Sequence, residues 1–362
     1  MKLKKSSKII IIAISIIVFI LLALFGALFY LTSPVKKCNN CSFEVTIPSG
    51  ASMEDIATIL KDNNLIRHEK IFIYYTKLTK ANNIYAASYI FDTSMDLKKI
   101  VDTLLSGGTN PDQISITFKE GINMRKVAKA IEANTNNTYD DVLNTLLDKE
   151  YINSLIKNEK YWFITDEIKN ENIYYPLEGY LYPETYYFNN KDVSVKDIFN
   201  AMLDQMGKVL NTYKEDIEKS EYSVHQLLTV ASLAELEGSD KDDRKYITSV
   251  FYNRLDKGMS LGSDVTTYYA VKVEMNERDL YQKELNAFNP YNTRGPLMAG
   301  KLPVGPISTV ASSSIEAALY PNESDYLYFV ADKNRKVHFT RTSSEHDNMI
   351  TKLKNEGLWY EW

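Results

Sequence analysis

One pattern occurs twice in the first part of this chain. VTIPSGASMEDIATIL (residues 45–60) and ITFKEGINMRKVAKAI (residues 116–131) align at an offset of 71, pairing Gly50 with Gly121, Met53 with Met124, Ile56 with Val127 and Leu60 with Ile131. Each copy opens with an alternating run, which suits a strand, and closes with apolar residues at helical spacing. The glycine between them fits a turn with positive φ, where a Cβ would be strained. A strand–turn–helix unit that recurs points to an α+β class.

Around the first copy, Ser52 is placed to cap a helix over 52–64, with Asp55 at its third position. A second helix is expected near 69–78, a strand at 87–92 and a further helix at 95–108. Residues 43–110 therefore read as one small α+β module. The second copy opens a larger mixed α+β domain, 112–362.

Before the module, residues 1–8 are basic and residues 9–31 are uncharged and almost entirely apolar. At about 1.5 Å per residue such a run covers a hydrocarbon core of roughly 30 Å, so a single N-terminal transmembrane helix is expected at 9–31. The run exceeds the apolar part of a signal peptide, and YLTSPVKK (30–37) offers no small-x-small cleavage site. Lys2, Lys4, Lys5 and Lys8 precede it, which predicts a cytoplasmic tail at 1–8, a linker at 32–42 and everything beyond outside the cell membrane. The net charge is −5 with those lysines counted and −9 without them. An acidic ectodomain argues against a nucleic-acid partner.

Cys38 and Cys41 are the two cysteines, and His68, His225, His338 and His346 all lie far from them in the sequence. A zinc site needs more ligands than this, so the pair reads as a local disulfide or two idle thiols, and no metal or cofactor is expected.

YYPLEGYLYPETYYF (174–188) holds six tyrosines, with Glu178 and Tyr180 among its residues. Tyrosine presents an apolar face and a polar tip, which suits either a sugar-lined cleft or a packed loop. In ASLAELEGSD (231–240), two glutamates end an apolar run. Ser223 and Gln226 form a capping box at its start, and Gly238 fits the position just past its end. At about 100° per residue, Glu235 shares a face with Val224, Leu228 and Ala231, while Glu237 falls on the opposite side. A carboxyl on an apolar stripe, near a helix C-terminus, would hold its proton and suit a general acid. The competing reading pairs Glu235 with a buried base such as Arg244 or Arg254.

A helix over 239–258 follows, then MSLGSDVTTYYAV (259–271), PYNTR (290–294), LPVGPIS (302–308), YLYFVAD (326–332) and HFTRTSSEH (338–346). This series, in this order, resembles the endolytic murein transglycosylase family, the YceG-like proteins of the bacterial cell wall. The resemblance is strongest from Leu227 to His346. It implies a LysM-like module at 43–110 and a catalytic domain at 112–362. The implied reaction is non-hydrolytic cleavage of peptidoglycan glycan strands between N-acetylmuramic acid and N-acetylglucosamine, leaving 1,6-anhydro ends and using no cofactor. The family's A-S-[IL]-x-E string falls on Ala231 to Glu235 and names Glu235 as the catalytic acid. Asp264, Thr266, Tyr291 and Asn292 are the expected sugar contacts, with Glu178 and Tyr180 as wall residues. Partners implied are penicillin-binding proteins and other wall-synthesis proteins. The chain departs from the family at Gly262 and Val265, where Q-S-D-P-T is usual, at Arg294, where Y-N-T-Y is usual, and at Val304 within L-P-P-G-P-I. Two other readings compete: a hydrolase of muramidase type with a second carboxylate, and a membrane-tethered peptidoglycan-binding scaffold without catalysis.

Overall fold

The computed structural model describes residues 5–36, 42–48, 50–81, 84–108 and 113–359. Cys38 and Cys41, and the disulfide or idle thiols expected there, lie outside the described residues. The chain divides into two units: Met1–Ile114 with Phe188–Asn190, and Ser115–Tyr187 with Lys191–Trp362.

The first unit runs α1 (Lys5–Thr32), β1 (Ser42–Ile47), α2 (Met53–Asp62), α3 (Glu69–Leu78), β2 (Ala87–Asp92) and α4 (Leu97–Leu105). β1 and β2 pair antiparallel, with Ser42 opposite Asp92 and Ile47 opposite Ala87. Alternation sends Val45 and Ile47 inward, where they meet Ile56 and Leu60 of α2, Phe72 of α3, and Ile100 and Leu104 of α4. Ser52 caps α2 in a reciprocal box with Asp55, which satisfies two backbone donors that the first turn leaves unpaired.

The transmembrane helix expected at 9–31 requires correction. The backbone is helical over Lys5–Thr32, but among the described residues no helix is long and apolar enough to cross a membrane. The fold class is mixed α+β with small sheets, with no membrane-crossing helix among the described residues.

The second unit continues with β3 (Ile114–Thr117), α5 (Met124–Asn134), α6 (Tyr139–Leu147), α7 (Lys149–Ile156), β4 (Thr185–Phe188), α8 (Val195–Asn211) and α9 (Lys214–Lys219). Then come α10 (Val224–Glu237), α11 (Lys241–Asp256), α12 (Asp264–Ala270), α13 (Gln282–Leu285), α14 (Ser312–Leu319), β5 (Tyr328–Ala331), β6 (Val337–Thr340) and α15 (Ser343–Asn355). β3 neighbours β4, and β5 pairs antiparallel with β6.

α10 is the axis of this unit and packs on α11, α12 and α14. From Val224 to Glu235 every residue but Gln226 is buried. Such a helix has no solvated face, because neighbours cover it all round. Ser223 and Gln226 cap it reciprocally, as the sequence predicts.

The two glycines of the recurrent pattern both adopt positive φ, +79° at Gly50 and +68° at Gly121. They differ in surroundings. A Cβ on Gly50 would meet nothing within 4 Å, whereas one on Gly121 would lie 3.3 Å from Leu236 Cδ2 and 3.7 Å from Glu235 Cγ. The Gly121 turn therefore lies against the end of α10, and its N–H donates to the Thr309 carbonyl at 3.1 Å. Gly50→Ala should cost about 1–2 kcal/mol from left-handed backbone alone, and Gly121→Ala should cost more. Denaturant unfolding of both variants checks the order, and equal losses would remove the Leu236 contact from the account.

Candidate active site

The two glutamates at the end of α10 meet opposite surroundings. The Glu235 side chain is almost fully buried. Its Oε1 accepts from Arg244 Nη2 at 2.7 Å, and its Oε2 accepts from the Ala311 N–H at 2.9 Å and from Ser314 Oγ at 2.7 Å. Arg244 Nη1 donates onward to Ser313 Oγ at 2.7 Å. Ala311 is the N-cap of α14, so the carboxylate lies where unpaired N–H groups and the helix dipole favour an anion. Glu235 thus ties α10 to α11 and α14 through three charge-assisted hydrogen bonds. Both oxygens are occupied, and the pairing with Arg244 is the competing reading of the sequence.

Glu237 faces the other way. It is half-buried, and its Oε1 accepts from Ser263 Oγ at 2.6 Å. Oε2 accepts no hydrogen bond among the described residues. The carboxyl lines a cavity of about 500 Å³, together with Asp264, Arg294, Tyr328, His346 and Trp359. Desolvation by the surrounding protein raises its pKa, and the neighbouring Asp264 charge adds to this. The Ser263 hydroxyl and the Arg294 charge act against the rise, and the net direction is upward.

The Ser263 hydroxyl is positioned from behind. Its backbone N–H donates to Thr293 Oγ1 at 3.0 Å, and its carbonyl accepts from Thr266 Oγ1 at 2.6 Å. Arg254 of α11 braces the loop before it, donating from Nη1 to the Leu261 carbonyl at 2.7 Å and from Nε to the Leu327 carbonyl at 2.6 Å. α11, β5 and the 260–263 loop are thereby fixed to one another.

Of the sequence-predicted site residues, Asp264 alone joins Glu237 at this cavity, as the first residue of α12 and ion-paired with Arg294. Thr266 is fully buried beneath Ser263, within 2.8 Å of Thr293 Oγ1. Tyr291 is fully buried between Tyr174 and Tyr269, each ring centroid 4.8 Å away. Asn292 spends both ends of its amide inside the protein, accepting from Thr267 Oγ1 at 2.6 Å and donating to the Ala287 carbonyl at 2.8 Å. Tyr180 is also fully buried. His225 Nε2 lies 2.9 Å from the Val304 carbonyl and must donate there, so Nδ1 accepts from the Tyr180 hydroxyl at 2.9 Å. Thr266, Tyr291, Asn292 and Tyr180 are packing and hydrogen-bonding members of the interior.

Glu178 is buried as well. Its Oε2 accepts from the Met124 N–H at 3.0 Å and the Tyr269 hydroxyl at 2.8 Å, while Oε1 has no partner. Burial pushes its pKa up to about 7.

Ser263, Tyr328, His346 and Trp359 also line the cavity without having been named as site residues from sequence, as does Arg294, noted there only as a departure from the family string. Ser263 and Arg294 lie in GSDVT and YNTR, beside residues that were so named, and Tyr328 and His346 lie in two of the quoted strings. The signal was the strings themselves.

With this geometry described, the chain can be set beside known proteins. It matches the YceG-like family over residues 45–352 and belongs to that family. It is 43% identical over 337 residues to an endolytic murein transglycosylase of Bacillus subtilis (strain 168), covering 91% of this chain and 92% of that one. A relative of the same name from Streptococcus pneumoniae serotype 2 is 29% identical over 92% of this chain, and the match spans 63% of that protein. A crystal structure of a yceG-like protein from Listeria monocytogenes superposes with a TM-score of 0.61 at 38% identity, covering 85% of this chain and 99% of that one.

The position of Glu178 has a consequence for stability. Its folded pKa of about 7 stands above the ordinary 4.5, so the native state holds the proton more tightly than the unfolded chain. The resulting stability is complete below pH 4.5 and is lost as pH rises through about 7. Glu178→Gln should remove this contribution to the pH dependence. Thermal unfolding from pH 4.5 to 8 should show wild type losing ground relative to the variant, and a constant difference would mean that Glu178 stays ionised throughout.

Proposed function

We propose that this protein is an endolytic murein transglycosylase that cleaves peptidoglycan glycan strands outside the cytoplasm. The names of its relatives support the reaction and the substrate. The acid we assign is Glu237 rather than Glu235. The observation that carries this assignment is a carboxyl of raised pKa at a cavity, with one oxygen held by Ser263 and the other accepting no hydrogen bond among the described residues. Glu235, by contrast, is occupied at both oxygens.

The bond cut lies between muramic C1 and the glycosidic oxygen. Glu237 delivers its proton to that oxygen as the C1–O bond breaks, and the bonding pair leaves with the glucosamine hydroxyl. Positive charge at C1 is met by the acetamido oxygen of the same sugar. Glu237, now ionised, takes the proton of the muramic C6 hydroxyl while O6 bonds to C1. The 1,6-anhydro ring closes, and the carboxyl regains its proton. One group serves as acid and then base, so its pKa must lie near the working pH. Desolvation and Asp264 move it in that direction.

Unit 1 is assigned the weaker task of guiding glycan strands, since the acid constellation lies wholly in the second unit. Penicillin-binding proteins and other wall-synthesis proteins are the partners that fit a cutter of nascent strands.

Digestion of purified peptidoglycan, with mass analysis of the new ends, tests the assignment. Wild type should leave anhydro-muramic ends. Glu237→Gln should fold and lose at least about 10²- to 10⁴-fold in rate, because its amide neither gives nor takes the proton. Glu235→Gln should lose stability first, since an amide cannot replace the anion facing Arg244. A folded, inactive Glu235→Gln beside an active Glu237→Gln would return the role to Glu235. Reducing ends from wild type would mean hydrolysis with Asp264 as second carboxylate, and an inert wild type would mean a scaffold.

A further inference from the structure

The Glu237 cavity holds two guanidinium groups in different situations. Arg254 donates to the carbonyls of Ser260, Leu261 and Leu327 at 3.2, 2.7 and 2.6 Å, so it is committed to the backbone. Arg294 is joined to Asp264 through Nε alone, and Nη1 and Nη2 make no hydrogen bond among the described residues. Burial, aided by the Arg254 charge, lowers the pKa of His346, which favours its neutral form in this cavity. Arg294 is therefore the cation there with donors to spare. The Nε pairing restrains a side chain that would otherwise lose much rotamer freedom on binding. It stands close enough to Glu237 for its charge to act on that carboxyl.

We infer that Arg294 is a specificity determinant, binding through Nη1 and Nη2 the carbonyl group of the lactyl arm on the muramic sugar whose C1 is attacked. The inference rests on the substrate reading above. The two alternating sugars of the strand differ at O3, where muramic acid carries the lactyl ether and glucosamine a hydroxyl. A site that must place one sugar and not the other at Glu237 has this arm to read. The arm presents a carboxylate when bare and an amide carbonyl when it carries a peptide. A guanidinium accommodates both, and it binds the anion more strongly because both partners are then charged. Arg294 also stands where the family string usually has tyrosine, so this recognition would set the present chain apart from relatives that keep the usual residue.

The test needs no turnover. The disaccharide N-acetylglucosaminyl-β-1,4-N-acetylmuramic acid lacks the bond that is cut, and it can be titrated into the whole protein by calorimetry or NMR. Its lactyl methylamide and diacetylchitobiose serve as neutral-arm and armless counterparts. Arg294→Gln should weaken the carboxylate ligand about tenfold and the methylamide a few-fold, leaving diacetylchitobiose unchanged. Arg294→Lys keeps the cation and the Asp264 pairing but lacks the fork, and should still lose several-fold on the carboxylate ligand. Equal weakening of all three ligands, or no weakening of any, overturns the inference. A failure of the substrate reading shows instead as wild-type digests without anhydro ends, while the titrations still report on the arm.

Discussion

The ion pair between Glu235 and Arg244 is the interaction on which the second unit depends. It is a buried charge that joins the end of α10 to α11 and, through the Ala311 N–H and Ser314, to the start of α14. Burying a carboxylate is costly, and removing its partner leaves the cost uncompensated, typically at about 3–5 kcal/mol. Here a guanidinium, a backbone N–H and a hydroxyl meet the charge together. Once α10, α11 and α14 are locked, the residues at and just beyond the helix ends have fixed places. Glu237, the last residue of α10, is one of them. The Gly121 turn is another, where an added Cβ would lie 3.3 Å from Leu236 Cδ2 and the N–H donates to the Thr309 carbonyl.

The local structure of this chain was readable because its signals are local. Ser52 with Asp55, and Ser223 with Gln226, cap the helices they were expected to cap. Both recurrent glycines take the positive φ that a strand–turn–helix unit needs. α3 and β2 fall on the predicted residues 69–78 and 87–92. The apolar run at 9–31 is the exception, since among the described residues no helix is long and apolar enough to cross a membrane.

The different surroundings of the two glutamates were not readable from helical periodicity. Phase distinguishes an inner from an outer face only when a helix has one side in water. α10 is covered on every side through Glu235, so an apolar stripe along it marks nothing in particular. Arg244 and Ser314 lie nine and seventy-nine positions away from Glu235, and no pattern within α10 announces them. The inward turn of the side chains expected to contact sugar was hidden for a related reason. Thr266 and Asn292 sit in the right strings, but their side chains turn inward to hold Ser263 and the 284–287 backbone. Their neighbours Ser263 and Arg294 turn outward to the cavity.

Two residues apart on one helix end, the glutamates lie about 200° apart in phase, so one neighbour cannot serve both. Glu235 is turned toward a cation and the start of a helix, where an anion is held. Glu237 is turned toward a cavity whose walls desolvate it and where Asp264 adds a like charge. Acid–base sites commonly set carboxyls in contrasting environments, so that one stays charged and another keeps its proton. A contrast of environments is present here too, with a difference in purpose. The charged glutamate holds the helices, and rigid helices are what keep the second carboxyl within reach of Ser263. In the proposed mechanism a carboxyl that gives a proton and then takes one back cannot drift between the steps, because misplacement of even about 1 Å can cost on the order of 10²-fold in rate. The buried pair is in this sense the condition for the acid proposed beside it.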